Sequence, residues 1–324
     1  MTHEIKTGGE RVIGRYTGSR GPLMIAVGGM HGNEPAGISA LRILFDMLEK
    51  EPSVNPGFEF RGRLVGLIGN MEAFRQRKRY LTQDLNRLWL PEYIAELTRK
   101  SPSQWHNEDR QLLGLRQTIL DEIESYGPEK VVFVDLHTTS AEDGIFSIPI
   151  ETPESMALGK GLHAPIVDNF SNSLSGTFMQ FFNDLDLSAD RVAISFESGK
   201  HDDPLSVNRA VAALVNALRF VGMVRPEDVE SHHDEILKAY TRHLPKVVRM
   251  AYRHPIRPGD GFEMRPGYRN FSSVRKGETL AHDHNGPIVA PLSGYVLMPL
   301  YQTQGAEGFF IAVPQNQEDV STAS

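Results

Sequence analysis

Apolar residues recur along this chain in two alternating rhythms. Mostly apolar runs at 23–27, 64–69, 131–134, 145–150 and 191–196 have the length of strands. They lack the alternation of a half-exposed strand, as expected where both faces of a sheet are covered. Between them apolar positions return at helical spacing. Ile38, Leu41, Leu44, Phe45 and Leu48 follow the first run, and Leu112, Leu115, Ile119 and Ile123 lie within 107–126, a segment that Gly127-Pro128 stops. Segments 153–162, 205–221 and 228–240 also read as helices, and 10–17 reads as an edge strand. Residues 71–90 are mostly polar and predict a long loop with helical pieces. Strands alternating with helices to about residue 240 predict an α/β fold, with a mixed, mostly parallel sheet and helices on both faces.

The rhythm changes from 247 onward. Short strand-like runs are broken by Pro258-Gly259, Pro266-Gly267, Lys276-Gly277, Asn285-Gly286 and Ser293-Gly294. Two units are therefore expected: an α/β catalytic domain over 1–240 and a smaller β-rich domain over 241–324, ending in a polar, disordered tail from 315. A chain of 324 residues can hold one large or two unequal domains.

Composition narrows the chemistry. With 40% hydrophobic and 23% charged residues the chain reads as an ordinary soluble globular protein. The formal net charge of -7 disfavours nucleic acid as a partner but leaves an anionic small molecule open, because local arginines matter more than the sum. No cysteine is present, so thiolate nucleophiles, disulfides and cysteine metal sites are all excluded; any metal must be held by His and carboxylate. Residues 1–14 lack the apolar core of a signal peptide and no apolar window is long enough for a membrane helix, so a cytoplasmic protein without a membrane partner is expected.

The candidate chemistry gathers where strands end, as ligand sites do in open α/β sheets. Gly28-Gly29-Met30-His31-Gly32-Asn33-Glu34-Pro35 reads as the turn from a buried strand into a helix, with Pro35 suited to the first helical position. His31 and Glu34 can turn toward one point there. His137 follows the third apolar run, and Glu197 follows the fifth. His31, Glu34 and His137 have the composition of a catalytic zinc site with its fourth position open, with Asp135 as an orienting partner. Such zinc lowers the pKa of water to about 7, and an unbound carboxylate beside it, Glu197, suits proton transfer. Taken singly, the same residues also read as a capping loop, a strand-end histidine bonded to backbone and a carboxylate at a helix start. Arg79-Tyr80 followed by Asp84-Leu85-Asn86-Arg87 offers guanidinium groups for a carboxylate, with an Asp to hold an Arg in place. The neighbouring block Arg75 to Arg79 also reads as a solvated face or a weak polyanion patch, although no aromatic residues interleave it as nucleic-acid binding would favour.

At these residues the chain resembles the succinylglutamate desuccinylase/aspartoacylase family, which has a zinc carboxypeptidase-like fold. The resemblance rests on His31-Gly32-Asn33-Glu34, Gly69-Asn70, Arg79-Tyr80 with Asp84-Leu85-Asn86-Arg87, Asp135-Leu136-His137, and Glu197-Ser198-Gly199-Lys200. It extends to Ser175-Gly176-Thr177-Phe178 and to the stretch from Arg253-His254 to Phe262-Glu263-Met264. It implies one Zn2+ on His31, Glu34 and His137, with Glu197 as general base and then general acid. Arg79 would polarise the scissile carbonyl; Asn86 and Arg87 would grip the α-carboxylate of a small anionic N-acyl amino acid. Asn70 and the carboxy-terminal Tyr295 and Tyr301 would contact the substrate, and the β-rich domain would narrow the site against peptides. The resemblance leaves room for a homo-oligomer. The chain departs from the aspartoacylase pattern at Glu197-Ser198-Gly199-Lys200-His201, which is nearer the Glu-Leu-Gly-Lys of desuccinylases, and has no match for the arginine that aspartoacylases place ahead of the catalytic Glu. The expected activity is hydrolysis of the amide of an N-acyl amino acid. A peptide-cleaving metallocarboxypeptidase and a catalytically silent binding protein on the same fold are the rivals.

Overall fold

In the computed structural model, which describes residues 2–5, 11–170, 173–228 and 232–315, the apolar runs form strands and the 3.6-periodic segments form helices. The strands of the first part are β1 (Thr2–Ile5), β2 (Val12–Thr17), β3 (Ser19–Gly28), β4 (Arg61–Ile68), β5 (Lys130–Thr139), β6 (Ile145–Pro149), β7 (Ile166–Asp168) and β8 (Asp190–Lys200). The helices are α1 (Ala36–Val54), α2 (Met71–Arg75), α3 (Pro91–Leu97), α4 (Asn107–Tyr126), α5 (Pro153–Gly161), α6 (Phe178–Asp184), α7 (Leu205–Phe220) and α8 (His232–Thr241). The second part holds β9 (Val247–Pro255), β10 (Glu263–Met264), β11 (Ser272–Val274), β12 (Thr279–Asp283), β13 (Gly286–Val289), β14 (Gly294–Leu297) and β15 (Glu307–Pro314).

Among the described residues twelve strands form one mixed sheet in the order β1-β2-β4-β3-β5-β8-β6-β7-β9-β15-β14-β11. Its centre, β4-β3-β5-β8, is parallel. The central strands lack alternation for a visible reason. On β3, Met24 and Ala26 pack with Leu41 and Leu44 of α1 and Leu214 of α7. Leu23, Ile25 and Val27, facing the other way, pack with Leu112, Leu115 and Ile119 of α4 and Phe178 and Phe182 of α6. Burying each such side chain contributes roughly 1.5–3 kcal/mol, so the doubly covered strands β3 and β5 make a stiff floor for whatever stands on their ends. Gly127 closes α4 in the left-handed conformation at φ 60°, its N–H bonding the Ile123 carbonyl.

The turn-rich second part joins the first through the same sheet. β9 pairs parallel with β7 and antiparallel with β15, while β10, β12 and β13 form a separate three-stranded sheet. Phe146 and Val167 from the first part share a core cluster with Met250, Phe271 and Phe310 from the second.

The structure corrects the sequence reading in places. β2 is not the edge strand, because β1 pairs outside it. β5 and β8 run on through His137 and Glu197, which pair with each other, and β6 continues the ladder on the far side of β8 by pairing Phe146 with Glu197 and Ile145 with Ser198. α1 begins at Ala36, with Pro35 at its cap rather than its first turn. Within the expected tail, 316–324 lie outside the described residues, as do 1 and 6–10 of the amino-terminal segment and 229–231 of the helix expected over 228–240. No helix of the described residues is long and apolar enough to cross a membrane.

Candidate active site

Three chain segments bring their functional groups to one end of the parallel strands. The first is the turn after β3. Gly29 takes φ 70° to make the bend, and Gly28 lets α1 lie directly on the strand, because a Cβ there would stand 2.6 Å from the Gly37 carbonyl carbon. The Glu34 N–H bonds the His31 carbonyl at 3.2 Å, closing the turn and setting both side chains on one side. The second and third segments are β5 and β8, on which His137 and Glu197 are direct cross-strand partners. Asp135 lies two residues before His137 and so shares its face.

The resulting cluster is tight. Glu34 Oε1 lies 2.8 Å from His31 Nδ1, and Oε2 lies 3.0 Å from His137 Nδ1. The Thr138 N–H also reaches Oε2, at 3.1 Å. Each imidazole has its other nitrogen against a carboxylate: His31 Nε2 against Asp84 Oδ1 at 3.2 Å, and His137 Nε2 against Asp135 Oδ2 at 2.7 Å. If Nε2–H donates to the aspartate in both rings, both Nδ1 lone pairs point at carboxylate oxygens. A protonated ring answers this by donating its Nδ1–H to Glu34, and with both rings neutral a metal cation would take that proton's place. His31, Glu34 and His137 are all buried, and their ligand atoms lie within 4.8 Å of one another. Nitrogen and oxygen donors with carboxylate-braced histidines fit zinc.

The charges are strongly coupled to this packing. Burial would push the Glu34 carboxyl up, but His31 and His137 outweigh it and hold it well below the usual carboxylate range. Burial would lower the His137 pKa, but Asp135 and Glu34 hold it well above the usual imidazole range. At Glu197 burial wins: with Glu34 and Asp135 adding and His137 opposing, its carboxyl is pushed up to about 8. Its Oε2 is buried without a hydrogen-bond partner.

Arg79 is clamped by Asp84, with Nη2 at 2.9 Å and Nε at 3.3 Å from Oδ2, and its Nη1 lies 3.6 Å from Glu34 Oε1. Asp84 therefore braces a histidine and an arginine at once. Beyond them opens a cavity of about 360 Å³ lined by His31, Glu34, Arg79, Asn86, Arg87, His137 and Glu197 among others. That volume suits a small molecule. The Asn86 side-chain Oδ1 accepts from the Phe178 N–H at 2.8 Å, which leaves its Nδ2 hydrogens as the donors of this cavity-lining residue. Gly176 permits this approach: at φ 71°, a Cβ on it would lie 2.3 Å from the Arg87 carbonyl oxygen.

The remaining expectations divide. Arg87 reaches the cavity but is already engaged, with Nη2 2.9 Å and Nε 3.4 Å from the Glu307 carboxylate. Asn70 does not line the cavity. It is buried, caps α2 by accepting from the Ala73 N–H and donates to Glu108. Tyr295 sits in β14 against Phe271, and the Tyr301 hydroxyl donates to the Arg265 carbonyl; neither lines the cavity. The second part contributes Glu307, Met298, Leu300 and Phe310 instead. Sequence reasoning missed Glu307. A lone carboxylate ahead of the apolar run 309–313 is the only trace of it.

The sequence profile of the succinylglutamate desuccinylase/aspartoacylase catalytic domain matches residues 20–221. The succinylglutamate desuccinylase of Yersinia pestis (strain Pestoides F) is 30% identical over 160 residues, which cover 47% of this chain and 44% of that protein. The alignment thus spans less than half the length of the curated relatives it matches. Among solved structures, a succinylglutamate desuccinylase/aspartoacylase from Rhodobacter sphaeroides superposes with a TM-score of 0.64 at 19% identity, covering 94% of this chain and 88% of that one. A product-bound ectoine utilization protein from Ruegeria pomeroyi does so with a TM-score of 0.63 at 20% identity, covering 93% and 87%. At such identities these structures speak for the fold.

Proposed function

Since the chain belongs to the succinylglutamate desuccinylase/aspartoacylase family, we propose that it is a zinc-dependent deacylase, hydrolysing the amide of a small N-acyl amino acid to a carboxylate and a free amine. The observation that carries this reading is the convergence of His31 Nδ1, Glu34 and His137 Nδ1 beside the unpartnered Oε2 of Glu197. Zinc held by the three residues would supply Lewis-acid charge and acidify water at neutral pH.

The chain's own groups do the rest. Glu197 takes a proton from the water that adds to the amide carbon and delivers it to the departing nitrogen as the C–N bond breaks. Its burial, which favours the protonated form, suits the second half of that task. Arg79, fixed by Asp84, donates to the oxygen on which negative charge develops, and preorganised donors are most valuable there. Asn86 and Arg87 take the α-carboxylate, Arg87 by sharing its guanidinium between substrate and Glu307. The second part, 247–315, closes the cavity through Met298, Leu300, Glu307 and Phe310. The test is Glu197→Gln in zinc-loaded protein, assayed by amine release from N-acyl amino acids. The variant should keep its zinc and lose turnover by about 10² or more; near-normal turnover would remove Glu197 from this role.

A further inference from the structure

Building on the deacylase reading, we infer that the natural substrate carries a single carboxylate and an apolar arm, rather than the three carboxylates of N-succinylglutamate. Two independent features of the cavity point there. The first is a continuous apolar wall. Ser195 and Glu197 share a face of β8, and antiparallel pairing sets Ile148 of β6 opposite Ser195. The face that carries Glu197 therefore continues across β6 into Ile148. Ile148 packs in one cluster with Phe170, Leu174, Met298 and Phe310, and all five line the cavity. The Phe170 and Phe310 rings stand 5.3 Å apart. Met298 is held at φ 48°, an uncommon conformation for a non-glycine residue, with its N–H fixed 2.7 Å from Asn270 Oδ1. An arm attached next to the scissile bond and directed past Glu197 meets this wall.

The second feature is charge. Arg79 and Arg87 are the cations among the described residues that line the cavity, and each already holds a carboxylate, Asp84 and Glu307. Away from the metal ligands and Glu197, the lining carries the neutral polar Thr177, Gln180, Asn183 and Ser195 and the exposed carboxylate of Asp184. One substrate carboxylate can be taken by Asn86 and Arg87. A second or third would face apolar side chains, neutral polar groups or a further carboxylate, with no further lining cation among the described residues to offset its desolvation. The apolar arm can belong to either half of the substrate, as the amino-acid side chain or as the acyl chain, because both flank the scissile bond.

The experiment compares kcat/KM of the zinc-loaded protein for N-succinylglutamate, N-acetylglutamate, N-acetylleucine and N-hexanoylalanine. Each methylene placed in an apolar pocket is worth about tenfold or more, so at least one apolar-armed compound should exceed N-succinylglutamate by about 10². N-acetylleucine leading puts the arm on the amino-acid half, and N-hexanoylalanine leading puts it on the acyl half. N-succinylglutamate turned over as well or better overturns the inference. If none is hydrolysed, calorimetric binding of the same four compounds to zinc-loaded Glu197→Gln separates the two claims. Tighter binding of an apolar-armed compound keeps the inference and removes the deacylase reading. Tighter binding of N-succinylglutamate, or binding of none, overturns the inference.

Discussion

Replacing Glu197 by Gln should make the metal-free protein more stable, and increasingly so as pH rises. Burial pushes the Glu197 carboxyl from its ordinary 4.5 up to about 8. Below about 4.5 the group is protonated in both folded and unfolded chains and contributes nothing. Between 4.5 and 8 the unfolded chain gives up the proton while the folded chain keeps it, so wild-type stability falls as pH rises. Above about 8 the loss levels off. At 1.36 kcal/mol per unit, the full loss is roughly 4–5 kcal/mol. A neutral Gln cannot titrate, and because Glu197 Oε2 has no partner to lose, the substitution costs little in contacts. The assay is urea unfolding of both proteins with chelator present, at intervals from pH 4 to 9. The stability difference should be near zero at pH 4 and widen toward a plateau above pH 8. A difference independent of pH would refute the burial argument and with it the picture of Glu197 as a buried carboxyl beside the metal ligands. With zinc bound, the added positive charge should shrink the widening.

Asp84 braces His31 through Oδ1 and Arg79 through Oδ2, so Asp84→Asn should weaken zinc binding by about 10–100-fold, read by competition with a chelating dye; unchanged affinity would detach Asp84 from the metal centre. Glu307→Gln leaves the Arg87 guanidinium without its competing charge, which should lower KM for N-acyl amino acids several-fold, about 1 kcal/mol, at nearly constant kcat. A rise in KM would instead make Glu307 a direct contact of the substrate.

Much of this site was legible from residue types and spacing, because its parts sit where local rules place them. A glycine bend before a helix turns His31 and Glu34 together, and period two puts Asp135 on the face of His137. The Asp84-to-Arg79 clamp spans only five residues. What could not be read depends on long-range pairing. Glu307 reaches Arg87 across 220 positions of chain, and only the β9–β15 pairing brings it there. Asn70 shares the strand-end position of the residues that line the cavity, yet its amide is consumed by the α2 cap and Glu108. Tyr295 and Tyr301 were plausible by residue type alone, and their directions follow from the β14 register and the Arg265 carbonyl, neither of which has a sequence signature. The edge position of β1 was hidden for the same reason: four residues with no apolar run were enough to extend the sheet.

The most direct measurement is zinc per chain, by elemental analysis, in protein purified without added metal and then titrated with zinc, for the wild type and for His31→Ala and His137→Ala. The wild type should hold one equivalent, removed by chelator together with amine release from N-acyl amino acids and restored with it, and either variant far less than one equivalent. A wild type that holds no zinc after titration, or variants that hold as much as the wild type, would contradict the assignment of His31, Glu34 and His137 as the metal site.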